Sequence, residues 1–162
     1  MEPDSGALMS VVEEMGLLFE QYGASRMMGR VIGWLLVCDP PEQSSADLAR
    51  ALLVSKASIS MATRALFHMG IIERVARPGE RGVYFRLRPD TFGTTIIGIR
   101  VEAMRRFRQL LERGLATMQD APAARRERLE AARVLFAFFE RELERIQRRW
   151  ETGEWKEGDG RA

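Results

Sequence analysis

Cysteine, histidine and lysine are nearly missing from this 162-residue chain: Cys38, His68, Lys56 and Lys156 are all it has. A lone cysteine excludes an internal disulfide and a cysteine-based zinc site. Within Trp34-Leu35-Leu36-Val37-Cys38 it reads as a small buried hydrophobe in preference to a redox sensor. His68 has no companion ligands in the sequence and reads as structural. With no metal-ligand cluster, phosphate-binding loop or nucleophile–base pair, the residues do not describe an enzyme, and neither cofactor nor metal is expected. Long apolar runs are lacking too. The longest, residues 31–38, is far too short to span a bilayer, and the acidic start Met1-Glu2-Pro3-Asp4 does not resemble a signal peptide, so a cytoplasmic protein with no membrane partner is expected.

Charge is near balance overall but unevenly placed. Residues 1–51 carry three basic against eight acidic side chains, whereas residues 52–90 carry seven basic against three acidic. A basic module beside an acidic one points to a polyanionic partner for the former.

Within that module, Ser44-Ser45-Ala46-Asp47 has the pattern of a capping box, with Ser44 placed to accept from the amide of position 47. Leu48, Ala49, Leu52 and Leu53 then give a short apolar stripe. Ser55 can cap a second helix after a connection of only Leu53 and Val54, too short for the two helices to run antiparallel. This second helix is predicted over about 56–69, with Ile59, Ala62, Leu66 and Met69 facing a core. Its other face carries Lys56, Ala57, Ser58, Ser60, Met61 and Arg64, small enough at the front to enter a DNA major groove. Lys56 and Arg64 can meet phosphates or guanine, Ser58 and Ser60 can donate to phosphates or bases, and Ala57 and Met61 offer apolar contact to thymine methyls. A plain solvated helix face is the competing reading for each residue taken singly.

Gly70 suits a left-handed helix end leading into a strand through Ile71 and Ile72. After Arg77-Pro78-Gly79-Glu80-Arg81-Gly82 the chain alternates, with Val83, Phe85 and Leu87 on one side and Tyr84, Arg86 and Arg88 on the other, as in a half-buried strand. Gly79 serves the turn, and Arg77 and Arg81 are placed to reach a minor groove or flanking phosphates. Helix, tight turn, helix and basic hairpin in this order describe a winged helix-turn-helix in a mainly α chain.

Amphipathic helices flank the unit. Upstream, Leu8, Val11, Val12, Met15, Leu18, Phe19 and Tyr22 form one, and residues 27–37 a second that Asp39-Pro40-Pro41 ends. Downstream, a helix is predicted from near Phe92 to Met118, then a last one in which Leu129, Ala132, Phe136, Phe139, Leu143, Ile146 and Trp150 recur at alternating spacings of three and four. Phe138 and Leu135 widen this seam. Packing on the preceding helix accounts for part of it, and a second copy of the chain for the rest. The expected division is 1–24 N-terminal dimerisation helix, 25–91 DNA-binding domain, 92–150 C-terminal dimerisation helices and 151–162 flexible tail. The expected dimer contacts are Leu8, Val12, Met15, Leu129, Phe136, Phe139, Leu143, Ile146 and Trp150.

These features resemble the MarR superfamily of bacterial winged-helix regulators, and within it the GbsR-like branch. The likeness covers about residues 23–92, carried by Gly29-Arg30-Val31-Ile32-Gly33, Ser55-Lys56-Ala57-Ser58-Ile59-Ser60, Gly70-Ile71-Ile72 and Pro78-Gly79-Glu80-Arg81. Ala57 stands where the family often has glycine, and Val83 where the wing is often more polar. The resemblance implies a homodimeric repressor gripping a near-palindrome in double-stranded DNA with half-sites roughly 10 bp apart. It also implies release by a small-molecule effector between the dimerisation helices and the DNA-binding unit, where Phe19, Tyr22, Trp34, Met104 and Phe107 could line a cleft able to hold a quaternary ammonium. Aromatics at helical spacing are more often core. The alternative function is a winged helix used as a protein-interaction module without sequence-specific DNA binding; the small polar face around Ser58 and Ser60 disfavours it.

Overall fold

Helices α1 (Ser5–Gln21) and α2 (Arg26–Val37) touch almost backbone to backbone because glycines line their contact. A Cβ at Gly29 would lie 2.6 Å from the Met15 carbonyl oxygen and 2.9 Å from Gly16 Cα, and one at Gly33 would lie 3.2 Å from Val12 Cα. This is a computed structural model describing residues 5–80 and 82–154, and its chain divides into two units, one up to Thr91 and one from Phe92. The close α1–α2 approach corrects part of the expected dimer set. Val12 is fully buried with Val31, Ile32 and Leu35, so it presents no side chain to a partner, and Met15 is half-buried against Gly33. The apolar residues that α1 turns outward are Val11, Leu17 and Leu18, while Leu8 is half-buried. Gly29→Ala is expected to cost about 1–3 kcal/mol, because backbone atoms cannot yield to the new methyl; thermal or denaturant unfolding checks this.

The first unit continues through β1 (Gln43–Ser44), α3 (Ser45–Ala51), α4 (Lys56–His68), β2 (Ile72–Val75) and β3 (Tyr84–Leu87). Its sheet has the order β1-β3-β2, antiparallel throughout, with Ser44 opposite Tyr84 and Glu73 opposite Arg86. The two-residue strand β1 has no pattern to betray it in the sequence. Gln43 anchors it from a buried position, accepting from Trp34 Nε1 (3.3 Å) and donating to the Pro40 carbonyl (2.8 Å). Leu48, Leu52, Ile59, Ala62, Leu66, Ile72 and Phe85 fill the core.

Three apolar expectations change. Leu53 is 89% exposed, not part of the α3 stripe, because it takes a left-handed conformation in the turn. Met69 is an exposed cap residue, and Thr63 takes the inward place on α4, its hydroxyl donating to the Ile59 carbonyl (2.8 Å). Val83 is exposed because β3 begins one residue later. Cys38 is half-buried beside the core, and burial pushes its thiol pKa up, as suits a small hydrophobe.

In the second unit a π-helical turn (Thr91–Ile96) leads into α5 (Ile97–Ala116), and α6 (Ala123–Thr152) runs back along it. One helix from Phe92 was the sequence expectation; the π turn is an addition. Phe107 stacks on Phe136 at 4.8 Å, and Glu140 accepts from Arg108 (2.6 Å) and Arg105 (3.0 Å), which hold its carboxyl below the usual range. The apolar seam is split by this packing. Leu129, Ala132, Phe136, Leu143 and Trp150 are half-buried, with Trp150 lying over Gly93, so this part of the seam serves the hairpin itself, as expected for a share of it. Phe139 and Ile146 stay exposed, joined by Val134, Leu135 and Phe138. Among the described residues of this unit, Val101 is the one buried apolar side chain apart from glycine, and no described helix is long and apolar enough to cross a membrane.

Candidate nucleic-acid interface

The helix-turn-helix angle is set by two caps. Ser44 Oγ accepts from the Asp47 amide (3.1 Å) while Asp47 Oδ2 accepts from the Ser44 amide (3.2 Å), completing the reciprocal box at the start of α3. The Ser44 hydrogen bond, helped by Arg50, holds the Asp47 carboxyl below the usual carboxylate range. A lowered folded pKa gives stability that is present at neutral pH and lost as pH falls through the folded value. The contribution is about 1 kcal/mol or less, since a third of the Asp47 side chain faces water. Melting of wild type and Asp47→Asn should therefore differ at neutral pH and converge in acid.

At the start of α4, Ser55 Oγ accepts from the Ser58 amide (3.2 Å) and lies 3.0 Å from Ser58 Oγ. Ser55 and Ser58 thus spend part of their hydrogen-bonding capacity on each other. Arg30, whose role the sequence did not reveal, steadies the turn from below: it donates to the Leu52 carbonyl (2.8 Å) and to Glu13 (2.8 Å), joining α1, α2 and the end of α3. The result is an α4 whose Lys56, Ala57, Ser60, Met61 and Arg64 are exposed on one side while Ile59, Ala62, Thr63 and Leu66 are buried on the other. Lys56, Arg64 and Arg88 carry no ion pair among the described residues. His68 is exposed at the helix end, edge-on to Phe67 at 6.0 Å.

In the wing, Gly79 has φ +83°, a left-handed turn conformation that glycine adopts without strain. Tyr84 donates its hydroxyl to Glu80. Arg81, expected to touch DNA, lies outside the described residues. Arg77 differs from expectation. Its Nε donates to Glu42 Oε2 (3.1 Å), a second nitrogen donates to the Glu42 carbonyl (3.0 Å), and its guanidinium lies over the Tyr84 ring at 4.3 Å. Arg86 donates to Glu73 (2.7 Å) and to Glu42 (3.3 Å), and Arg74 lies over Phe67 at 4.5 Å. Sequence reading missed Glu42, because an ion pair across 35 positions leaves no local pattern.

The expected aromatic cleft is not assembled within the first unit. Phe19 covers Gly29, Trp34 is tied to Gln43, and Tyr22 is 81% exposed past the end of α1. Met104 and Phe107 belong to the second unit, where Phe107 pairs with Phe136.

Known proteins agree with this geometry. A family model described as MmpR5-like MarR family transcriptional regulator matches residues 93–153. The HTH-type transcriptional regulator MmpR5 of Mycobacterium tuberculosis (strain ATCC 25618 / H37Rv) is 45% identical over 139 residues, which is 86% of this chain and 82% of the relative. The chain belongs to the MarR family of transcriptional regulators, as an MmpR5-like member. A crystal structure described as that of a transcriptional regulator superposes with a TM-score of 0.79 at 42% identity, covering 90% of this chain and 99% of the other. MarR membership makes the protein a transcriptional regulator and DNA its partner class. The branch matched is the MmpR5-like one, on α5 and α6; the GbsR-like likeness of the earlier motifs stays a resemblance. For a MarR regulator, the exposed side of α4 is the surface whose chemistry suits a base-lined groove.

Proposed function

We propose that this MmpR5-like regulator is a homodimeric repressor that binds a near-palindromic operator, with α4 in the major groove and the wing over the minor groove or phosphates. One observation carries the reading: the front of α4 is exposed and small-sided, with Ala57 and Ser60 between Lys56 and Arg64, cations with no ion pair among the described residues. The contact set is Ser55, Lys56, Ala57, Ser58, Ser60, Met61 and Arg64 from α4 and its cap, with Gly79 and Arg81 from the wing. Arg77 is left out because Glu42 engages it.

The dimer is supported by apolar surface with no cover in the monomer. Leu135, Phe138, Phe139 and Ile146 form an exposed stripe on α6, and Val11 and Leu18 one on α1. A small-molecule effector completes the proposal, seated along α5 where Ile99, Ala103, Phe107 and Leu110 line an open apolar groove edged by the Glu102–Arg106 ion pair. Anisotropy titrations of a duplex containing the upstream region of the protein's own gene, against a scrambled duplex across a salt series, test the reading. Tighter binding to the former with a strong salt dependence supports it. Equal affinity for both would favour the protein-interaction module.

A further inference from the structure

Glu42 stands just before β1, and the two arms of the wing hairpin meet at its carboxylate. Oε2 takes Arg77, two residues past the end of β2, and Oε1 takes Arg86 on β3. The Glu42 carbonyl holds Arg77 a second time. Both arginines would otherwise stand in the most basic stretch of the chain, on the element proposed to lie against DNA. All three side chains are partly shielded, at 23% exposure for Glu42, 28% for Arg77 and 42% for Arg86, so their attraction is less weakened by solvent than that of a fully open surface pair.

We propose that Glu42 is a positioning residue: it fixes the base of the wing and holds Arg77, and together with Glu73 also Arg86, off the phosphates, keeping sequence-independent DNA affinity low. The inference rests on the DNA-binding reading above. Phosphate contacts supply nearly all non-specific binding and none of the base discrimination. An internal carboxylate that occupies wing arginines therefore lowers affinity for every duplex alike while leaving α4 untouched, so less of the protein is held on non-operator sequence at a given salt.

The test is Glu42→Gln, titrated on random-sequence duplex over a salt series. Arg77 freed to reach one phosphate, with Arg86 still held by Glu73 at 2.7 Å, steepens the slope of log K against log salt by about 1, so affinity gains about 3- to 4-fold more than wild type when salt is lowered fourfold. Adding Arg77→Gln and Arg86→Gln to this variant returns the slope to the wild-type value. A residue that only held the fold together would weaken binding when lost, the opposite sign, and melting curves taken alongside report the fold. Should Glu42→Gln not fold, Arg77→Gln alone decides: an unchanged slope supports the proposal, whereas a slope shallower by about 1 places Arg77 on DNA and overturns it. An unchanged or shallower slope in folded Glu42→Gln also overturns it. Failure of the wild type to bind any duplex removes the DNA-binding reading itself, and is distinguishable because it appears before any variant is compared.

Discussion

Ala57→Glu is expected to abolish binding to operator and random DNA alike while leaving the protein folded. Ala57 is exposed at the second position of α4, with Lys56 and Ser60 near it on the side proposed to face the groove. A carboxylate there meets phosphates and base acceptors with no room to turn away. Like-charge juxtaposition in an interface costs several kcal/mol, about 100-fold or more in affinity. The same substitution adds a negative charge at the positive end of a helix, which raises stability by a few tenths of a kcal/mol, roughly. Opposite signs in melting and in binding separate this effect from simple unfolding. Unchanged affinity on folded protein would remove the front of α4 from the interface.

Phe138→Glu is expected to convert the protein to monomers and to lower operator affinity by about 100-fold or more, since the second half-site is no longer held at high local concentration. Phe138 is 47% exposed on α6 and its ring neighbours Phe139 at 5.9 Å. Its outer side is exposed, so a charge there disturbs the hairpin little, whereas in a packed apolar contact an unpaired carboxylate costs several kcal/mol, roughly. Light scattering at micromolar concentration reads the assembly state. A Phe138→Glu protein that remains dimeric would move the proposed interface away from this stripe.

Local chemistry was legible in the sequence, and long-range chemistry was not. The Ser44–Asp47 box, the Ser55 cap, the Gly70 helix end and the alternation through Phe85 and Leu87 each follow from residues a few positions apart, and each is present in the structure. What escaped needs two distant segments to meet. Strand β1 exists because Gln43 and Ser44 reach Phe85 and Tyr84. Arg77 turns inward because Glu42 lies beside it, and Arg30 finds the carbonyl of Leu52. The α6 seam illustrates the same limit. Its three-and-four spacing identifies a helix with an apolar side, but the division between α5 and a partner depends on Phe136 facing Phe107 while Leu135 and Phe138 face away. At the α1–α2 contact, Gly16 of α1 and Gly29 and Gly33 of α2 decide which apolar residues of α1 turn inward, and periodicity carries no record of that.

Selection of binding sites from random DNA with the purified protein, at stated salt, tests the central claim most directly. The account predicts enrichment of an inverted repeat whose half-sites lie about one helical turn apart, with the preferred bases shifting in a repeat of the selection using Arg64→Ala. Recovery of sequences with no common element, or of a motif that Arg64→Ala and Ser60→Ala leave untouched, would contradict it.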